Sequence, residues 1–211
     1  RGGAPAMSIE ATAASGNIVL GEVVIAAVVD DPDTADDETQ AEQFLGYSLV
    51  NRGTLAASGE LEAINATALR IGGSGGFSAT LSDGMLNDGA ISATSNGANA
   101  TSVLVASGAV IPVLTNVGDL RATSIGAGGI ARSIDIESGG SLFSLNNDLI
   151  IFSQALLGGS AYAIRDQSNT LASITNTHVI SALGTVPLDG VALPTSETVA
   201  IDLSASTIDT T

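Results

Sequence analysis

Apolar and polar residues alternate in short runs along most of the chain, and no window carries the spacing of a long amphipathic helix. The runs fall into three recurring sets. One contains Leu69-Arg70-Ile71, Val103-Leu104-Val105, Ile134-Asp135-Ile136 and Ala163-Ile164-Arg165. A second covers 77–81, 110–114, 142–145 and 171–174. A third follows an Asn, in the pattern Asn, any residue, turn residue, any residue, aliphatic. Clusters such as Gly72-Gly73-Ser74-Gly75-Gly76 and Ser138-Gly139-Gly140 separate the runs. Each run reads as a strand with one face buried.

The Asn pattern is clearest at Asn51-Arg52-Gly53-Thr54-Leu55, Asn87-Asp88-Gly89-Ala90-Ile91 and Asn116-Val117-Gly118-Asp119-Leu120. Degenerate copies stand at Asn146-Asn147-Asp148-Leu149-Ile150 and Asn176-Thr177-His178-Val179-Ile180. From Asn51 through Asn87, Asn116 and Asn146 to Asn176 the steps are 36, 29, 30 and 30 residues. Three short strands per period of about thirty describe one coil of a solenoid, whose apolar side is buried only when coils stack. The sequence therefore predicts an all-β, right-handed parallel β-helix with about 30 residues per coil. Residues 51–211 form the repeats, and residues 1–50 an irregular N-terminal cap or first coil carrying an acidic loop. An insertion, Thr185-Val186-Pro187-Leu188-Asp189-Gly190, precedes a last strand at 199–203.

Stacking at this period makes specific demands. Asn51, Asn87, Asn116, Asn146 and Asn176 are expected to form a side-chain amide ladder at one corner, with rungs ~4.8 Å apart. Leu55, Ile91, Leu120, Ile150 and Ile180 are expected to stack inward, and Thr54, Ala90, Asp119, Leu149 and Val179 to face out. Two positions after each Asn stand Gly53, Gly89, Gly118, Asp148 and His178, which suggests a shared turn with positive φ. This reading makes His178 a turn residue and not a catalytic base. Nineteen residues after the Asn stand Arg70, Ala106, Asp135 and Arg165, so Asp135 and Arg165 are expected on adjacent exposed rungs, with Arg70 solvated.

At this point the residues resemble a family. Runs of Asn-x-Gly-x-Ile/Leu followed by Ser-Gly-Gly turns, over about residues 45–190, are similar to the β-helical passenger domains of autotransporters secreted by Gram-negative bacteria. The resemblance implies export and display or release at a bacterial cell surface. It also implies a signal peptide and a C-terminal membrane barrel. Neither is present, so the chain is expected to be a processed passenger or a fragment of one.

Composition narrows the functional classes. Aromatics are 3% of the chain against 45% apolar residues, too few for an ordinary enzyme core, and mean hydropathy is +0.40. All six basic residues are Arg and the net charge is −16, which excludes nucleic acid as a partner and disfavours anionic membranes. There is no Cys, hence no thiolate chemistry, and the longest apolar run, Val23–Val29, is far too short to span a membrane.

Candidate chemistry is sparse. The cluster Asp30, Asp31, Asp33, Asp36, Asp37, Glu38 and Glu42 is the densest polar segment. Asp31, Asp33 and Asp36 are the candidate Ca²⁺ ligands within it, but the segment lacks the Gly and distal Glu of a Ca²⁺ loop and reads as a solvated acidic loop. Asp135 and Glu137 face outward together on one strand, as surface carboxylates would. Asn65-Ala66-Thr67 and Asn99-Ala100-Thr101 match glycosylation sequons. Outward Leu104, Leu149 and Val179 are candidates for a contact strip. No catalytic or cofactor-binding residue is assigned. The expected function is a non-enzymatic extracellular or cell-surface scaffold for adhesion or assembly, with a protein, a carbohydrate or a second copy as partner. The alternatives are a self-assembling fibre or surface-layer subunit and a carbohydrate-active β-helix enzyme.

Overall fold

The computed structural model describes residues 3–25, 43–61, 63–185, 196–205 and 207. Among them there is no helix, and three parallel sheets wind as a β-solenoid of about four coils. Sheet 1 stacks Met7–Ala11, Ala66–Gly73, Ala100–Val105, Ile130–Ile136, Ser160–Asp166 and Thr198–Asp202. Sheet 2 stacks Thr54–Gly59, Ala90–Asn96, Asp119–Ile125, Ile150–Leu156 and Val179–Gly184. Sheet 3 stacks Ile18–Leu20, Ala79–Leu81, Ala109–Asn116, Ser141–Asn147 and Ser173–Asn176, with Leu49–Asn51 and Met85–Asn87 joined to it at its Asn corner. Met7–Ala11 and Ile18–Leu20 thus place rungs beneath sheets 1 and 3, while Val24–Ile25 pairs antiparallel with Gln43–Phe44.

The composition follows from this geometry. Each inward rung repeats one residue class, as in Leu69, Val103, Ile134 and Ile164 of sheet 1. In sheet 2, Ala57, Ala93, Ala122, Ser153 and Ala182 occupy one row. The interior of a three-sided coil is narrow, so small and β-branched side chains fill it where aromatic rings would overpack.

The register corrects the sequence reading in the fourth coil. The amide ladder runs Asn51, Asn87, Asn116, Asn147 and Asn176, each Nδ2 donating to the next Oδ1 at 2.7, 2.7, 2.7 and 2.8 Å. Asn147 occupies the corner in place of Asn146, which pairs with Thr115 and Thr175 in the adjoining row. The inward row of sheet 2 accordingly reads Leu55, Ile91, Leu120, Ile151 and Ile180, so Ile151 replaces Ile150. Ile150, not Leu149, shares the outward row with Asp119 and Val179. A slip of one residue moves a side chain to the opposite face, which is why both assignments fail together. The coils are 36, 29, 31 and 29 residues long, counted between Leu55, Ile91, Leu120, Ile151 and Ile180.

The glycines after the Asn corner have a different cause from the one expected. Among the described residues, positive φ outside glycine occurs at Ala63, Leu157 and Asn169, and Gly53, Gly89, Gly118, Asp148 and His178 are not in that region. What the position requires is closeness. A Cβ on Gly118 would lie 2.1 Å from the Gly89 carbonyl oxygen, and one on Gly89 would lie 2.1 Å from that of Gly53. The amides that follow close the corner, Ala90 on Gly53 and Asp119 on Gly89, both at 2.9 Å. Where Leu149 takes the glycine's place, the equivalent bond from Ile150 to Gly118 stretches to 3.4 Å.

A candidate ligand cleft on sheet 1

The outer face of sheet 1 departs from simple alternation. At Ala68, Ser102, Ser133 and Ala163 the residue-by-residue pairing is interrupted. Each of these residues and the apolar residue after it are fully buried, so two consecutive side chains point inward. Hydroxyls make this tolerable inside. Ser102 donates to the Arg121 carbonyl across the core, and Ser133 donates to that of Phe152 at 2.7 Å and meets Ser153 Oγ at 2.9 Å. As a result, outward residues in sheet 1 are three apart instead of two. One row reads Thr67, Thr101, Arg132, Tyr162 and Val199, the next Arg70, Leu104, Asp135, Arg165 and Asp202.

The bend leaves a shallow cleft of ≈ 160 Å³ over the second to fourth rungs. Thr67, Thr101, Leu104, Arg132, Asp135 and Glu137 line it. Asn65 and Asn99 line it as well, from the corner that precedes the sheet. Their side-chain oxygens are engaged, Asn65 Oδ1 accepting from the backbone N–H of Asn99 (3.1 Å) and Asn99 Oδ1 from the backbone N–H of Ile130 (3.0 Å). The side-chain NH₂ groups have no hydrogen-bond partner among the described residues.

Charges in the cleft are tied to one carboxylate. Arg165 grips Asp135 bidentately, Nε to Oδ1 at 2.8 Å and Nη2 to Oδ2 at 3.0 Å. Arg132 approaches the same carboxylate with Nε 3.6 Å from Oδ2, beyond hydrogen-bond distance. Asp135 is 3% exposed and Arg132 8%. The Arg132 Nε is enclosed without a hydrogen-bond partner, and no other hydrogen bond reaches its guanidinium among the described residues. Burial pulls the Arg132 guanidinium below its ordinary range against the attraction of Asp135, and the neighbouring Arg165 charge acts in the same direction as burial. At the rim, Tyr162 donates to Glu197 and lies under Arg165, whose guanidinium carbon is 6.0 Å from the ring centroid. Burial first, then that hydrogen bond, pushes the Tyr162 phenol up to about 12.

The expected charge ladder is therefore present and corrected. Asp135 and Arg165 are neighbours on one outward face, but Asp135 is buried and lines a cleft, with Arg165 partly buried beside it, in place of a water-facing wall. Leu104, not Ala106, is the rung between Arg70 and Asp135. Arg70 is not left to solvent, since its Nη2 meets Glu10 Oε1 at 3.4 Å.

The two sequon-like tripeptides prove to be in register and contribute Asn65, Thr67, Asn99 and Thr101 to the cleft. Arg132 was missed. Its signal lay in the repeat itself, because Ile130-Ala131-Arg132 stands where the previous coils have Asn-Ala-Thr. Leu104, Leu149 and Val179 do not form one strip, Leu104 facing out of sheet 1 while Leu149 and Val179 adjoin sheet 2. His178 is exposed, its amide on Asn176 Oδ1 at 3.4 Å. Asp31, Asp33 and Asp36, with the rest of the acidic loop, lie outside the described residues, as does most of the 185–190 insertion. Among the described residues no group of three or more acidic or His side chains is placed to hold a metal ion, and no helix is long and apolar enough to cross a membrane.

No family model matches the chain, and neither the curated proteins nor the solved structures contain a significant match.

Proposed function

We propose that the chain is a non-enzymatic solenoid scaffold of an exported or surface-displayed protein, with sheet 1 as its recognition face for adhesion or surface assembly. The observation that carries this reading is the bent face of sheet 1. Sheet 1 repeats its kink at four successive rungs and so offers side chains three residues apart along a stiff, regularly stacked wall. Rigid elements of this kind hold recognition groups in place at little entropic cost. The Asn-x-Gly-x-aliphatic repeat and its likeness to autotransporter passengers extend the reading to a bacterial cell surface or its exterior.

The carboxylates of the cleft favour binding over turnover. Glycoside hydrolysis needs two carboxyl groups free to serve the scissile bond. Both oxygens of Asp135 are engaged by Arg165, so Glu137 stands without such a partner. The test is to pass the purified protein over surfaces coated with acidic and neutral polysaccharides and to assay the same polymers for new reducing ends or unsaturated products. Retention without product is expected. Product formation overturns the scaffold reading in favour of an enzyme. Electron microscopy of the same sample separates short rods, as expected, from the long filaments of a fibre subunit.

A further inference from the structure

We propose that the cleft over Thr67, Thr101 and Arg132 binds the carboxylate of an acidic sugar ring, with Arg132 as the carboxylate fork and Glu137 as the acceptor for ring hydroxyls. The inference rests on the scaffold reading and gives its recognition face a ligand class. Arg132 is the starting point. Its side chain is nine-tenths buried, its Nε is enclosed without a hydrogen-bond partner at a cost in lost hydration, and its Nη groups, which are not enclosed in that way, also have no hydrogen-bond partner among the described residues. Its Nε is walled in, so the Nη groups are the ones a ligand can reach. A planar fork of this kind matches a carboxylate in two parallel bonds.

The surroundings define the rest of the ligand. Two free amide NH₂ groups, from Asn65 and Asn99, and two hydroxyls, from Thr67 and Thr101, line the cleft beside Arg132. These groups suit oxygen-rich, uncharged functions. Glu137, in the same cleft, accepts from hydroxyls and repels a second negative charge. With a net charge of −16 on the chain, a dianionic phosphate or a densely sulfated polymer is disfavoured, whereas one carboxylate on a polyhydroxylated ring is not. Leu104 supplies an apolar patch for the C–H face of a ring. The volume, ≈ 160 Å³, falls well short of the ~300–1,000 Å³ of drug-sized pockets and suits a single ring.

The experiment titrates the whole chain, by calorimetry and by the arginine Nε–H signals in NMR, with glucuronate, glucose and inorganic phosphate. It also uses a trisaccharide with glucuronate at its end, to separate a free acid from a glycan terminus. Glucuronate is expected to bind with a Kd on the order of 1 mM, the level a ligand of this size reaches, and to shift the Arg132 signal. Glucose and phosphate are expected at least tenfold weaker. Arg132→Gln should lose the binding at least tenfold, and Arg121→Gln on sheet 2 should keep it. Thr101→Val, which preserves side-chain shape, should weaken it about threefold and decides the matter if Arg132→Gln fails to fold. Equal affinity for glucose or phosphate, no response to glucuronate at 20-fold the expected Kd, or wild-type affinity in the folded cleft variants overturns the assignment. If those variants still adhere to polysaccharide as wild type does, only the cleft assignment falls. If the protein cleaves polysaccharide while the binding results hold, only the scaffold reading falls.

Discussion

Single residues in this molecule are judged by what sits one coil away. Asn116 is fully buried, donates to Asn147 Oδ1 at 2.7 Å and to the Ile150 carbonyl at 3.2 Å, and accepts from Asn87 at 2.7 Å. Asn116→Ala leaves buried polar groups on both neighbouring coils unsatisfied, and is expected to cost about 2–4 kcal/mol in urea unfolding. Asn147→Ala should be comparably costly, while the half-buried Asn146 should tolerate Ala within ~1 kcal/mol. Equal losses at 146 and 147 would mean that the corner is misassigned. The glycines give an equally sharp contrast. Gly118→Ala drives a Cβ against the Gly89 carbonyl and is expected to destabilise by more than ~3 kcal/mol, whereas Gly53→Ala meets nothing within 4 Å and should be near neutral. A positive-φ turn would penalise both alike, so the pair separates the two explanations for these glycines.

At the scale of strands and sheets, the period and the strand pattern were legible in the sequence because stacked coils force like residues onto like positions. The fourth coil was ambiguous for a concrete reason. Asn146-Asn147 and Ile150-Ile151 each present the same residue type twice, so coils of 30 and 31 residues both keep Asn and an aliphatic in place, and Asp148, a better turn residue than Leu149, pointed to the wrong one. The cleft was less legible, because strict alternation puts residues 132 and 135 on opposite faces. Only the kink at Ser133 brings them together, and a small residue at 68, 102, 133 and 163 was its sole trace. Two tests address this sheet. Asp135→Asn abandons two largely buried arginines, and a loss of about 3–5 kcal/mol is expected, with Asp119→Asn on sheet 2 costing less than ~1 kcal/mol as a half-exposed comparison. A loss below ~1 kcal/mol at Asp135 would show that the charge cluster is open to water. Tyr162 carries a pH dependence. Its folded phenol is raised to about 12 from an ordinary 10, so its contribution is intact below pH 10 and is lost as pH climbs through about 12, the unfolded chain releasing the proton first. Urea midpoints should fall over that window, and Tyr162→Phe should flatten the slope.

The whole molecule is a stack of coils carrying −16 charges, and its ion pairs do not offset that excess evenly. Arg52–Asp88, at 3.9 Å with both side chains about half exposed, contributes little. The Arg132–Asp135–Arg165 group is enclosed, and added salt reaches it poorly. What salt does reach is the long-range repulsion among surface carboxylates, which opposes the compact state. At ~10 mM salt the screening length is ~30 Å, longer than several rungs of a sheet, so charges on separate coils repel; at 100 mM it is ~10 Å and most of that repulsion is gone. The melting temperature at pH 7 is therefore expected to rise by several degrees between 10 and 200 mM NaCl, opposite to a fold held by surface salt bridges. Calorimetry at fixed protein concentration measures it. A fall in Tm over the same range would show that exposed ion pairs outweigh the repulsion. Repeating the series with CaCl₂ and MgCl₂ at matched ionic strength isolates the acidic segment that contains Asp31, Asp33 and Asp36. Equal curves for the two divalent salts mean screening alone, and a further rise in Ca²⁺ only, lost when Asp31, Asp33 and Asp36 are changed to Asn, assigns those carboxylates an ion.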